Sequence, residues 1–287
     1  MNDVLFTTLR KLRLSGLAET LDVRLHEACA NNLTHAEFLE LVLQDEVLVR
    51  NGRQIARRVK AAGFRELKTL QEMDWSFNPS IKKGQIYELA TGHFLNEHLD
   101  VLFCGPPGTG KSHMVQAVGY HLIKLGRTVL YRSIFDVVRD FLHDEAMDGH
   151  ERIMARYLKP DLLIIDDFGM KQLPKRSGEF LFEIVMRRYE IRSTMMTTNR
   201  PLEDWGKLLG DVATATAILD RFLHHAHIIT ITGHSYRLAS RYTGPQPATA
   251  PTGSQKNGKT SKPAKAPTGS ATENNLKDPH HESEHPS

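Results

Sequence analysis

Cysteine is scarce in this chain: Cys29 and Cys104 are the only two among 287 residues. They lie far apart, and Cys104 falls on an apolar segment, so a disulfide framework is excluded and a reducing cytosol suits the composition. Long hydrophobic runs are missing, so no bilayer span is expected. The first fourteen residues carry Asp3, Arg10, Lys11 and Arg13 without an unbroken apolar core, which argues against a secretory segment. The expected setting is cytoplasmic, with no membrane partner. Neither sign of charge dominates, with 37 Lys and Arg against 34 Asp and Glu. No global field announces nucleic acid, and local clustering must carry that case. Large apolar residues all but vanish from 243–287, where Pro, Ala, Thr, Gly, Ser and Lys prevail. Such a segment cannot offset its ordering entropy, so a disordered tail is expected. Its lysines (Lys256, Lys259, Lys262, Lys265) read as solubilising, and its terminal histidines are too irregular for a metal site.

The most informative feature present is the octapeptide Gly105-Pro106-Pro107-Gly108-Thr109-Gly110-Lys111-Ser112. It follows the apolar run Val101–Cys104 and precedes a segment with helical spacing at Val115, Val118, Leu122 and Leu125. Strand, glycine loop, lysine, hydroxyl and helix in that order make a P-loop. Its backbone N–H groups and helix N-terminus favour a triphosphate. Lys111 is expected to reach the β- and γ-phosphates of ATP and the Ser112 hydroxyl to ligate Mg²⁺.

Three regions follow along the chain. Residues 1–75 read as a small helical domain for partner or DNA contact. Leu5, Leu9 and Leu12 suggest a first helix, and Leu17, Leu21, Leu25 and Ala28 a second. Thr34 and Glu37 have capping-box spacing and open a third helix. Asn51-Gly52 is expected to end it, with a fourth short helix running to about Ala62. Arg50, Arg53 and Arg57 recur at helical spacing with Arg58 and Lys60 adjacent, either as a solvated face or as a phosphate-contacting surface. Residues 76–242 alternate helices with apolar strands at 101–104, 128–131, 162–166, 194–198 and 228–231, the pattern of a five-stranded parallel sheet between helices. The tail, 243–287, completes the organisation.

Four further positions bear on chemistry. Leu162-Leu163-Ile164-Ile165 runs into Asp166-Asp167, adjacent carboxylates at a strand end where ligands of parallel sheets gather. Asp166 is expected to hold Mg²⁺, and Asp167 to polarise the attacking water. Asn199, after Thr197-Thr198, can orient that water, as the sensor 1 residue of additional-strand P-loop ATPases does. Arg221, on an expected helix beyond the sheet, is either a finger lent in trans to a neighbour's γ-phosphate or half of a surface pair with Asp220. The finger reading requires a homo-oligomer. Arg237, in Gly233-His234-Ser235-Tyr236-Arg237, can reach the phosphates in cis or serve a structural or DNA-facing role. His224, His225 and His227 cluster, but no cysteine or suitably spaced carboxylate accompanies them in the sequence.

Taken together, these motifs resemble the IstB family, the ATP-binding helpers of IS21-type insertion sequences. The resemblance rests on the P-loop, Leu-Ile-Ile-Asp-Asp-Phe-Gly, Arg188-Tyr189-Glu190, Thr-Thr-Asn-Arg-Pro, Leu-Asp-Arg-Phe-Leu-His-His and Gly-His-Ser-Tyr-Arg. It also covers Leu14–Glu19 and Phe77-Asn78-Pro79-Ser80, and spans about residues 1–242. The chain is similar, more distantly, to the helicase loader DnaC, within the DnaC/DnaA-like clade of AAA+ proteins. This resemblance implies an AAA+ core in which Gly105–Ser112 bind nucleotide, Asp166 and Asp167 serve metal and water, Asn199 is sensor 1 and Arg221 the finger. It implies an ATP hydrolase that oligomerises on duplex DNA, largely without sequence preference, and recruits and stimulates the transposase of its element. The alternative is delivery of a replicative helicase, as a DnaC-like loader. A glutamate is common in AAA+ proteins where this chain has Asp167, and the shorter side chain suits a slow timer.

Overall fold

Five apolar segments pair as parallel strands: β1 (Asp100–Cys104), β2 (Val129–Ser133), β3 (Leu162–Phe168), β4 (Ser193–Thr198) and β5 (Ala226–Thr230). Their order across the sheet is β2-β3-β4-β1-β5. All five fall on the segments expected from the sequence. β4 lies between the strand that leads into the P-loop and the strand that carries Asp166 and Asp167, which is the additional-strand arrangement of an α/β AAA+ core. The computed structural model describes residues 3–145, 149–174 and 176–239. The tail 243–287, expected to be disordered, lies outside the described residues.

Twelve α-helices are seen among the described residues. The first five are α1 (Asp3–Lys11), α2 (Ser15–Asn31), α3 (His35–Ala62), α4 (Lys83–Thr91) and α5 (His93–Asn96). Interleaved with the later strands are α6 (Lys111–Lys124), α7 (Ile134–Glu145), α8 (His150–Leu158), α9 (Ser177–Arg188), α10 (Trp205–Leu209), α11 (Val212–His224) and α12 (Tyr236–Ala239). Because side chains alternate along a strand, the sheet builds two cores. Leu102, Leu130, Leu163, Ile165 and Met196 face α7 to α11. Val101, Phe103, Tyr131, Ile164 and Met195 face α4, α6 and the end of α3. A third, smaller cluster of Leu9, Leu17, Leu21 and Val42 joins α1, α2 and the start of α3.

Helix α3 corrects one expectation. It runs unbroken through Asn51-Gly52 for 28 residues, about 42 Å at the usual rise. Gly52 is exposed, and glycine there costs only about 1 kcal/mol relative to alanine. Packing at both ends outweighs that: Val42 sits in the small cluster, while Ile55, Val59 and Ala62 pack on the sheet. The helix stops at Gly63, whose φ of 72° is left-handed. Its start is as expected, with Thr34 and Glu37 forming a reciprocal capping box. α2 crosses α3 closely at Gly16, where a Cβ would lie 2.8 Å from Val49 Cβ, and the Leu17 N–H donates to Glu46 at 3.0 Å. Among the described residues, no helix is long and apolar enough to cross a membrane.

Candidate nucleotide-binding site

The P-loop emerges from β1 and turns into α6 through left-handed glycines, with φ of 81° at Gly108 and 93° at Gly110. A side chain at Gly108 would collide with the Ser235 hydroxyl, and one at Gly105 with the Ile231 carbonyl. These close approaches follow from backbone bonds: Ile231 N–H donates to Cys104 O at 2.7 Å, and Tyr236 N–H to Gly108 O at 2.9 Å. The 233–237 motif is thereby laid across the loop. No side chain caps the N-terminus of α6, because its cap residue is Gly110. The Lys111 ammonium donates to the carbonyls of Gly105 (2.7 Å) and Pro106 (2.6 Å). Burial draws its pKa down, against the opposing pull of the Asp166 and Asp167 carboxylates.

Opposite the loop, β3 continues past the expected strand end, and a register irregularity against β4 separates Ile165 from Phe168. Such a bulge re-aims the residues between. Asp166 is fully buried and accepts hydrogen bonds from Ser112 Oγ (3.1 Å), the Tyr131 hydroxyl and Thr197 Oγ1. Burial and the neighbouring carboxylate raise the Tyr131 phenol far above its ordinary pKa, which keeps it a donor. Asp167 adopts φ 64°, a left-handed conformation that costs a non-glycine residue about 1–2 kcal/mol. Its N–H donates to Thr197 Oγ1 at 3.1 Å, and its carboxylate accepts from Arg65 at 2.6 Å. Burial opposes the charge on Arg65, yet the bond to Asp167 leaves its pKa raised. The segment carrying Arg65 is itself stitched to α6, since the Arg65 and Glu66 N–H groups both donate to Gln116 Oε1.

Asn199 follows β4 at the rim of the same space. Its Oδ1 is buried without a hydrogen-bond partner, and its amide nitrogen meets only Met170 Sδ at 3.5 Å. The P-loop, Asp167, Thr197, Asn199 and Arg237 thus share the walls of one cleft of about 490 Å³. The remaining wall comes from residues 67–81, with Met73, Phe77 and Ile81 apolar and Asn78 polar. The Phe77 and Tyr236 rings meet edge-to-face, 4.8 Å between centroids.

Arg221 is not among the residues lining this cleft. It lies in the last turn of α11, paired with Asp220 and 5.8 Å from the Tyr189 ring. The fold also brings Glu190 to His224 and His225, the carboxylate that the sequence spacing did not show; their donor atoms lie within 4.8 Å of one another, all exposed. Arg188, by contrast, is buried and donates to the carbonyls of Tyr157 (2.9 Å) and Pro160 (3.1 Å) and to Thr194 Oγ1 (3.1 Å), a structural tie between α8, α9 and β4. Of the basic residues on α3, Arg50 turns back to Glu46 (2.6 Å), and Arg53 to Ser15 and Glu19. Sequence reasoning missed Arg65, Tyr131 and Thr197 as partners of the two aspartates. A basic or hydroxyl residue far along the chain gives no local signal of such a meeting.

The residues fit a magnesium nucleotide. Left-handed glycines leave a cradle with no Cβ within it, the α6 N-terminus lacks a side-chain cap, and an ammonium stands at the loop. Ser112 and Asp166 offer the hard oxygen ligands that Mg²⁺ takes. The chain is 32% identical over 231 residues to the ATP-binding protein of insertion sequence IS5376 from Geobacillus stearothermophilus, covering 80% of this chain and 92% of that protein. It is 33% identical over 233 residues to the ATP-binding protein of insertion sequence IS21 from Pseudomonas aeruginosa, covering 81% and 88%. Among solved structures, the DnaC helicase loader is similar at 22% identity and a TM-score of 0.45, over 52% of this chain and 87% of that one. The family model described as IstB-like ATP binding protein matches residues 7–244, and the chain belongs to that family.

Proposed function

We propose that this chain is a Mg²⁺-dependent ATP hydrolase that assembles on duplex DNA when ATP is bound, and then recruits and stimulates the transposase of its insertion sequence. The observation that carries the reading is the convergence of Lys111, Ser112, Asp167 and Asn199 on one cleft, with Asp166 bonded to Ser112 beside it, from three separate stretches of chain. Lys111 binds the β- and γ-phosphates by exchanging its carbonyl partners for phosphate oxygens. Ser112 and Asp166 hold Mg²⁺, which supplies neutralisation of phosphate charge. Asp167 takes the proton of the attacking water, and Asn199 turns its unpartnered amide oxygen to orient that water. Arg237 contacts the phosphates in cis. Arg221 stands outside its own cleft and serves the neighbouring subunit's site, so the active form is a homo-oligomer.

Residues 1–75 are the partner- and DNA-contacting part in this reading, and 76–242 the ATPase. Arg57, Arg58 and Lys60 on α3 supply the backbone-directed charge suited to DNA contact without base readout. The relatives' own names place them in insertion sequences, and that context supports a transposase rather than a helicase as the partner. The test is sedimentation of the full chain with non-specific duplex DNA, with and without ATP. ATP-dependent co-assembly is expected from the natural chain and none from Lys111→Ala, which should fold but lose nucleotide binding. Assembly indifferent to ATP, or an undiminished ATP affinity in Lys111→Ala, refutes the reading.

A further inference from the structure

At the end of α11 the fold gathers three metal-ligating side chains that the nucleotide cleft does not use. His224 is the last helical residue, and His225, at φ −126° and ψ 32°, has left the helix. Successive residues of a continuing helix point about 100° apart. The break turns the two imidazoles to one side, with ring centroids 4.0 Å apart. Glu190 meets them from the turn between α9 and β4, where its φ of 56° is a left-handed conformation uncommon for glutamate. One donor atom from each of the three lies within 4.8 Å of the others. His225 Nε2 and Glu190 Oε1 already stand 3.3 Å apart. Two ligands of a tetrahedral zinc ion, each about 2.1 Å from the metal, are separated by about 3.4 Å. The Tyr189 hydroxyl meets His224 at Nδ1, which leaves Nε2 to offer its lone pair. A polar partner on the second ring nitrogen is what orients ligating histidines. The surroundings are firmly held: Arg192 binds Asp161 at 2.8 Å, and the Asp100 N–H donates to His225 O at 3.3 Å.

We propose that His224, His225 and Glu190 form a zinc site, with three protein ligands and a fourth position open to water. Two imidazole nitrogens with one carboxylate suit Zn²⁺, whereas Mg²⁺ takes oxygen ligands. An ion pair of Glu190 with a protonated His225 would account for the 3.3 Å contact but not for the second imidazole. Two protonated rings 4.0 Å apart repel, while two neutral rings can share one cation. The site is separate from Ser112 and Asp166 and does not depend on the nucleotide reading. It lies one turn beyond Arg221, which is paired with Asp220 and stands 5.8 Å from the Tyr189 ring. The ion clamps the end of α11 to the turn between α9 and β4, and so fixes the base from which Arg221 projects.

The test is equilibrium dialysis of Zn²⁺ against the full chain, stripped with a chelator and kept free of nucleotide. His280→Gln, His281→Gln and His285→Gln are made in every sample, so that the terminal histidines contribute nothing. This parent chain should bind about one Zn²⁺ and retain it against excess Mg²⁺. Co²⁺ in its place should give the intense visible absorption of a four-coordinate site. Glu190→Gln and His225→Ala should each weaken Zn²⁺ binding by about a hundredfold or more, and Tyr189→Phe by about tenfold. Glu190 is exposed, so Glu190→Gln should fold normally, and its melting temperature should not rise with Zn²⁺ as the parent's does. A parent chain that binds no zinc, or that loses it to excess Mg²⁺, overturns the proposal. Binding undiminished in either Glu190→Gln or His225→Ala overturns it equally, by putting the ion elsewhere. Each of these failures leaves nucleotide binding at the P-loop untouched.

Discussion

At the scale of single residues, the two adjacent aspartates have been given different environments. Asp166 is buried and accepts hydrogen bonds from Ser112, Tyr131 and Thr197. Asp167 is one-quarter exposed, strained at φ 64°, and its carboxylate is engaged by Arg65 at 2.6 Å. The Arg65 guanidinium occupies a carboxylate oxygen that Asp167 would have to offer to the attacking water. Arg65 therefore holds back the proposed general base. Arg65→Ala is expected to raise basal ATP hydrolysis by about three- to tenfold with ADP affinity unchanged, as a freed base would. A steady-state rate at or below the natural chain's would show instead that the pair aligns Asp167 productively. Asp167→Asn should cut the rate by about a hundredfold or more while sparing nucleotide binding. Measured turnover within a few-fold of the natural chain's would remove Asp167 from the proposed chemistry.

At the scale of elements, Arg24 and Asp45 form a two-bond bridge between N-terminal helices. The Arg24 guanidinium donates two hydrogen bonds to the Asp45 carboxylate, both 2.8 Å, across α2 and α3. That bond, aided by Thr20, pulls the Asp45 pKa down to about 2. The folded-state value lies below the ordinary 3.8, so the stabilisation is complete above about pH 4 and is lost as pH falls toward 2. Asp45→Asn should lower the melting temperature at neutral pH by about 2–4 °C and flatten its decline between pH 4 and 2. An unaltered acid profile by circular dichroism would show that the bridge does not stabilise the fold. The same helices mark where sequence reading reaches its limit. Thr34 and Glu37 announced the start of α3, because a cap is a local exchange over three residues. Asn51-Gly52 suggested an end that is not there, because the packing that carries the helix onward involves β-strands far along the chain. The strands themselves were legible: Leu162–Ile165 is buried on both faces and must be apolar throughout. The P-loop was legible for the same local reason as the cap. Arg65 meeting Asp167 was not, since 102 residues separate them and only the folded path of α3 and α6 brings them together.

At the scale of the whole molecule, the role proposed for Arg221 requires more than one copy. The arginine projects from the end of α11 beside Tyr189, outside the cleft that holds Lys111 and Asp167. Its pairing with Asp220 is exposed on both sides and contributes little to stability, so the pair alone gives no structural reason for this arginine. A head-to-tail arrangement of copies, a heterologous interface, would set each Arg221 against the next subunit's cleft. Arg221→Ala should then leave nucleotide binding intact and lower hydrolysis by about a thousandfold. Asp167→Asn alone should be similarly deficient. Mixed together, the two inactive chains should regain activity, because a site with its own Asp167 can border a neighbour with Arg221. Random mixing in equal amounts makes about a quarter of the sites whole, which sets the ceiling of the rescue. Activity in the mixture no greater than the sum of the separate chains would place Arg221 outside the reaction, as the surface partner of Asp220.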